Sequence, residues 1–262
     1  MYPIIQIAGL SFPTYTLCAG LGLVVSTAVC CHLLLLKGMF SKYIYIILVG
    51  FIGVILGGRL FRILSLICIS LYYTGQVNLV ESMQTSGLVY FGGLLGFIFL
   101  IEFCCYIKHY NFSDISDILA IIIPLFHGFG RIGCFFAGCC YGIESDFFGV
   151  HYSVGSSHVI ANRIPVQLFE SVFEFLAFIL LYIFYRKIVS INNFLSNKLL
   201  HLYLLFYSVA RFLFEFIRGD AERGYFNFIS FSQVFCIIIL LYIILKDLYT
   251  YFKWKGLNKC LH

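Results

Sequence analysis

The chain has 262 residues, of which 61% are apolar and only 11% are charged. A soluble globular domain carries about 25% charged residues, so the composition excludes a soluble protein and a disordered one. With so few charges, the formal net charge of +5 does not point to nucleic acid, and no nucleic-acid partner is expected.

A membrane-spanning helix needs about 20 mostly apolar residues. Such runs predict spans near 14–36, 44–66, 87–107, 117–137, 166–185, 199–217 and 228–245. The expected fold is all-α: a single integral-membrane domain over residues 1–262 with about seven transmembrane helices. The first positive charge is Lys37, so the first run lacks the basic start of a cleaved signal peptide and is read as a retained span. The longest polar connections are 141–165 and 67–86.

Orientation follows from the basic residues. Lys37, Lys42, Lys108, Arg186, Lys187, Lys198, Lys246, Lys253, Lys255 and Lys259 fall in one set of alternate connections. Arg163, Arg218 and Arg223 fall in the other, with Arg131 at its edge. This predicts an outer N-terminus and a cytoplasmic C-terminus. All nine lysines lie on the cytoplasmic side, whereas Arg59, Arg62, Arg131, Arg163, Arg211, Arg218 and Arg223 are all arginines. Lysine suffices for topology, but a planar guanidinium grips carboxylate or phosphate through two parallel hydrogen bonds.

An ionised side chain at mid-bilayer costs about 2.5–3.5 kcal/mol on the insertion scale, so such residues face a bundle interior and mark function. Arg59, Arg62, Glu102, Glu170, Glu174, Arg211 and Glu215 lie within or beside spans. Helical spacing puts Arg211, Glu215 and Arg218 on one face, and Gln167, Glu170 and Glu174 on one face of the preceding span. These faces are expected to meet in one polar cavity, while Glu102 reads as part of a structural ion pair. Gly57-Gly58, just before Arg59, permits close helix approach.

Residues 127–142, His-Gly-Phe-Gly-Arg-Ile-Gly-Cys-Phe-Phe-Ala-Gly-Cys-Cys-Tyr-Gly, hold five glycines, which is poor helix material. The segment is expected to be an irregular loop that ends the fourth span on the outer side, lets backbone amides approach an anion and centres Arg131 on a phosphate. Eleven cysteines, most of them inside apolar runs, read as small hydrophobes. Cys134, Cys139 and Cys140 stand apart. They read as small packing residues, as a disulfide on an oxidising face, or as a chemically active cluster, including a metal site with His127 or His151. Cys-x₄-Cys-Cys is not the usual paired zinc spacing.

Segment 127–142 resembles the signature of the prolipoprotein diacylglyceryl transferases, which reads roughly Gly-Arg-x-Gly-Asn-Phe-x-Asn-Gly-Glu-x-x-Gly. Gly130, Arg131, Gly133, Phe135, Gly138 and Gly142 stand at matching positions. Other blocks agree in order: Tyr15; Gly57-Gly58-Arg59; Gly92-Gly93; Arg163-Ile-Pro-Val-Gln167-Leu-Phe-Glu170; Arg211-Phe-x-x-Glu215-x-x-Arg218 with Asp220; and Ser232-Gln233. The resemblance covers about 10–245. The chain departs from the signature at Cys134 and Ala137 for two Asn, Cys139 for Glu, and Phe91 for a His.

The resemblance implies transfer of the diacylglyceryl group of phosphatidylglycerol to a lipobox cysteine in a prolipoprotein signal peptide, within the lipid bilayer of the bacterial plasma membrane. No cofactor and no metal are implied. Arg131 and Arg211 are the candidates for the leaving phosphate, with Arg59 or Arg218 in support. Glu215 orients Arg211 or receives the thiol proton, and Tyr15 bonds the lipid headgroup. Gly130, Gly133, Cys134, Gly138, Cys139, Gly142, Arg163, Gln167, Glu170 and Arg218 complete the candidate substrate site, with Gln167 and Glu170 holding Arg131 or Arg163. Competing readings are a transferase on the same scaffold with another acceptor, a lipid or anion transporter, and a membrane thiol oxidoreductase. Against the transporter, the two halves show no repeat of the kind transporters often carry.

Overall fold

Inside hydrocarbon the backbone finds no water to bond, so each apolar run satisfies its amides and carbonyls by coiling into a helix. The computed structural model describes residues 2–7, 9–75, 89–154, 159–191, 198–219, 225–226 and 229–259. Much of the predicted 67–86 connection, together with Asp220 and Arg223, lies outside the described residues. A hairpin of β1 (Ile4–Ile7) and β2 (Leu10–Pro13) leads into α1 (Thr14–Leu36). Then come α2 (Phe40–Thr74), α3 (Tyr90–Ile107) and α4 (Ser113–Ala137). A second hairpin, β3 (Val150–Val154) with β4 (Val159–Arg163), precedes α5 (Val166–Ile191) and α6 (Leu199–Phe214). After a 3₁₀ turn at Glu215–Ile217, the short strands β5 (Tyr225–Phe226) and β6 (Ile229–Ser230) lead into α7 (Phe231–Lys259).

Six of these helices are long and apolar enough to cross a bilayer, and α7 adds a shorter apolar stretch, Phe231–Lys246. The protein is an all-α polytopic membrane protein. Helix α4 is central: every residue from Ile115 to Leu125 is buried. By contrast α2 turns Leu48, Ile52, Ile55 and Leu56 outward, exposed as lipid-facing side chains are.

Antiparallel packing sorts the charges to two ends. At one end Lys37 Nζ donates to the Asp114 carbonyl (3.0 Å) and Tyr43 donates to Asp114 Oδ2 (2.9 Å). The Leu199 amide donates to Asp117 Oδ1 (3.1 Å). At the other end stand Arg131, Arg163 and Arg218 with both long hairpins, the first tied down by the Tyr2 amide on the Phe136 carbonyl (3.1 Å). Glu102, expected in a structural ion pair, is exposed and forms none among the described residues; it lies in the half of α3 nearer the lysine end.

The glycines of α2 and α3 set the closest helix contact. A Cβ on Gly57 would stand 2.2 Å from the Gly92 carbonyl oxygen, and one on Gly53 would stand 2.3 Å from that of Gly96. The expected close approach at Gly57 is therefore present, extended one turn earlier by Gly53. Helix α7 opens on a reciprocal capping box. The Ser230 amide donates to Gln233 Oε1 (2.9 Å) and the Gln233 amide to Ser230 Oγ (3.2 Å).

Candidate active site

Residues 127–137 are helical, not an irregular loop, and α4 ends only at Ala137 with Gly138 as a left-handed C-cap (φ 76°). The reason is a comparison of magnitudes. A glycine costs a helix about 1 kcal/mol, whereas each unsatisfied amide in hydrocarbon costs several. Three glycines inside α4 (128, 130 and 133) are the smaller loss. Three amides after the helix are occupied: Gly138 donates to Phe135, Cys139 to Cys134 and Gly142 to Ile164. The helical stretch 127–137 thus offers no loop of open amides, which leaves the guanidinium groups beside it as the main candidates for an anion.

Those groups converge. Glu170, on α5, places Oε2 2.6 Å from Arg131 Nε of α4 and Oε1 2.6 Å from Arg211 Nη1 of α6. Arg211 Nη2 in turn lies 2.7 Å from Glu215 Oε2. All four residues are buried. The Nε–H of Arg131 does not point along its short line to Glu170, so that contact is charge pairing without a formed hydrogen bond. Among the described residues the two terminal amino groups of Arg131 have no ion-pair partner. Two hydroxyls beside this centre, Tyr207 Oη and Ser208 Oγ, are buried without hydrogen-bond partners among the described residues.

Buried polar groups are normally paired, so this centre has the character of a site built for a polar guest. A family model described as prolipoprotein diacylglyceryl transferase matches residues 3–248. The chain belongs to that family. A phosphatidylglycerol–prolipoprotein diacylglyceryl transferase of Clostridium tetani is 34% identical over 75% of this chain and 77% of its own length. A second, from Clostridium perfringens, is 31% identical over 96% of this chain and 95% of its own. One from Helicobacter hepaticus is 34% identical over 76% and 70% respectively.

Against the transferase signature, the glycines divide by what surrounds them. A Cβ on Gly130 would meet nothing within 4 Å, while one on Gly133 would touch Tyr15 and Cys18 of α1 at 3.1–3.2 Å. Gly142 is wedged, 2.7 Å from the Ile164 carbonyl oxygen, and Gly219 is wedged against Gly142. Tyr15 thus packs beside Gly133 and is exposed. Gln167 is fully buried, accepts from Tyr152 (3.1 Å) and donates to the Cys139 carbonyl, fixing the turn after α4.

Two expectations are corrected. Arg218 does not share a helical face with Arg211 and Glu215, because α6 stops at Phe214 and Arg218 is extended, bridging to Gly142. Arg163 is not held by Gln167 or Glu170: it pairs with exposed Glu144 (2.8 Å) and lies over the Tyr141 ring, because the 150–163 hairpin carries it outward. Arg59, a candidate for support of the phosphate, is exposed.

Sequence reasoning passed over a second buried network. His127 Nδ1 lies 2.9 Å from Glu174 Oε1, and Tyr203 donates to Glu174 Oε2 (3.1 Å). Tyr90 stacks on the imidazole at 3.5 Å, and Tyr207 meets it edge-on. The available signal was spacing: His127 precedes Arg131 by one helical turn, as Glu174 follows Glu170. His127 is therefore engaged with Glu174, and neither it nor exposed His151 joins the cysteine cluster.

Cys134, Cys139 and Cys140 do converge, with sulfurs all within 4.8 Å of one another and no disulfide between them. Cys140 holds a left-handed backbone (φ 60°), a conformation that costs a non-glycine residue about 1–3 kcal/mol. Hydrogen bonds from the Cys134 and Cys139 thiols, aided by the Arg218 and Arg131 charges, hold the Cys140 pKa well below the usual thiol value. Hydrogen bonding to Cys134 and Cys140 instead pushes the Cys139 thiol up. Since the thiolate is the nucleophile, a lowered pKa gives Cys140 more reactive anion at a given pH. Iodoacetamide at neutral pH is expected to label Cys140 before the more exposed Cys139, read by peptide fragmentation; the reverse order would show the ionisation lies elsewhere.

Proposed function

We propose that this protein transfers the diacylglyceryl group of phosphatidylglycerol to the lipobox cysteine of prolipoproteins, in the bacterial plasma membrane with its N-terminus outside. The observation that carries the reading is Glu170 bridging Arg131 and Arg211 in a buried centre, with Arg131 held through Nε and its terminal amino groups without a partner among the described residues. In the reaction the lipobox sulfur forms a bond to the glyceryl carbon as the bond from that carbon to the phosphate oxygen breaks. Glycerol phosphate leaves and the thiol proton passes to a base. Negative charge grows on the phosphate, and guanidinium groups fixed beforehand stabilise it without reorganising. In this reading Arg131 and Arg211 bind the phosphate, Glu215 orients Arg211, Arg218 closes the loop over them, and Tyr15 meets the headgroup at the mouth.

The lost signature residues favour one second reading, the same scaffold and lipid donor with another acceptor. Phe91 stands where the signature has a His, and it packs on Tyr207 with ring centroids 5.5 Å apart, where it moves no proton. The deciding experiment incubates purified protein with phosphatidylglycerol and a synthetic lipobox peptide, read by mass spectrometry. A peptide heavier by one diacylglyceryl unit is expected, and folded protein that yields none favours the other acceptor. Arg211→Ala is expected to abolish product while the protein still inserts in the membrane; retained activity would remove Arg211 from the mechanism.

A further inference from the structure

We propose that Cys134, Cys139 and Cys140 form a binding site for one thiophilic d¹⁰ cation, such as Zn(II), Cd(II) or Cu(I), which staples the turn 138–142 to the end of α4. The site does not depend on the transfer reaction. Among the described residues, no other trio of His, Cys, Asp or Glu ligand atoms converges so closely. With metal–sulfur bonds of about 2.3 Å, sulfurs sharing one metal stand about 3.8–4.0 Å apart. Sulfurs already within 4.8 Å reach that spacing by rotamer adjustment alone.

The local backbone is arranged for convergence. Cys134 is buried on the last turns of α4. Gly138 reverses the chain, the Cys139 amide returns to the Cys134 carbonyl (3.2 Å), and Gln167 holds the Cys139 carbonyl from α5. Cys140 then adopts its left-handed backbone, and its sulfur lies beside that of Cys134. Plain packing would need none of this, since alanine fills such a turn as well. Cys139 is exposed, which supplies an entry path. Three sulfurs with no imidazole or carboxylate select a soft cation over Mg(II) or Ca(II), and a fourth position is left for solvent.

The test is titration of the reduced, purified full-length protein with Cd(II) alone under anaerobic conditions. Thiolate-to-metal charge-transfer absorbance is expected to saturate at one Cd(II) per chain. Cys134→Ala/Cys140→Ala is expected to lose this band, and Cys104→Ala/Cys105→Ala, which alters a cysteine pair on α3, to keep it. Cys139→Ser, at an exposed position, serves as a variant that folds and is expected to weaken binding at least tenfold. No saturable band in the parent protein, an unchanged band in the Cys134/Cys140 variant, or unchanged affinity in Cys139→Ser would each overturn the proposal. A disulfide among the three that persists in the reduced, anaerobic preparation would overturn it too.

Discussion

Glu170→Gln is expected to lower the melting temperature of the detergent-solubilised protein by about 10 °C and to cut diacylglyceryl transfer at least 100-fold. Glu170 is the only residue shown touching both Arg131 and Arg211 among the described residues, at 2.6 Å each. Removing one partner of a buried ion pair costs about 3–5 kcal/mol, because the other charge is left buried and uncompensated. Here two guanidinium groups lose their shared carboxylate, and only Glu215 remains beside Arg211. For a chain of this size each kcal/mol shifts the midpoint by about 2–4 °C, which gives the stated fall. The transfer loss follows separately, since a freed guanidinium must reorganise as charge develops on the phosphate. Glu144→Gln is the control. Its pair with Arg163 has the same charges at 2.8 Å, but Glu144 is 70% exposed, and such pairs contribute about 0–1 kcal/mol. Equal shifts from the two variants would mean that the Glu170 centre is wet and plays no special part.

The spans were legible because hydrocarbon allows few solutions: a run of apolar residues near 199–217 or 87–107 has to coil, and it does. The Arg131–Glu170–Arg211–Glu215 constellation was legible for a related reason, since charges placed in spans have to find one another. What the residues did not disclose depended on tertiary context. Glycine propensity argued for a loop at 127–137, but the demand for internal hydrogen bonds prevailed. The spacing of Arg211 and Arg218 suited one helix face, yet α6 stops between them because Gly219 must approach Gly142, where any Cβ would stand 2.3 Å from a carbonyl oxygen. The His127–Glu174 pair had only its one-turn spacing from Arg131 and Glu170 to mark it, and the site around it is closed by Tyr90 and Tyr203 from two further helices. At the start of α7 the sequence draws attention to Ser232-Gln233, but the serine that caps with Gln233 is Ser230.

Two glycine variants separate architecture from chemistry. Gly57→Val is expected to lower stability by about 3 kcal/mol or more, because its Cβ would fall 2.2 Å from the Gly92 carbonyl oxygen. Overpacking usually costs about 1–3 kcal/mol, and here the obstacle is backbone on a facing helix, so no rotamer relieves it. Helices α2 and α3 would have to part by more than 1 Å, drawing Gly53 away from Gly96 as well. Gly130→Ala has the opposite profile. Its Cβ would meet nothing within 4 Å, and alanine in a helix interior is favoured over glycine by about 0.8–1.0 kcal/mol. The variant is expected to melt slightly higher than the parent while kcat/KM for transfer falls at least tenfold, because the new methyl group enters open space one residue from Arg131, where the proposed phosphate site lies. Thermal unfolding and the peptide assay read the two effects independently. A Gly130→Ala protein that is stabilised and fully active would move the phosphate away from this face of α4, and a Gly57→Val protein as stable as the parent would show that α2 and α3 pack farther apart than their glycines allow.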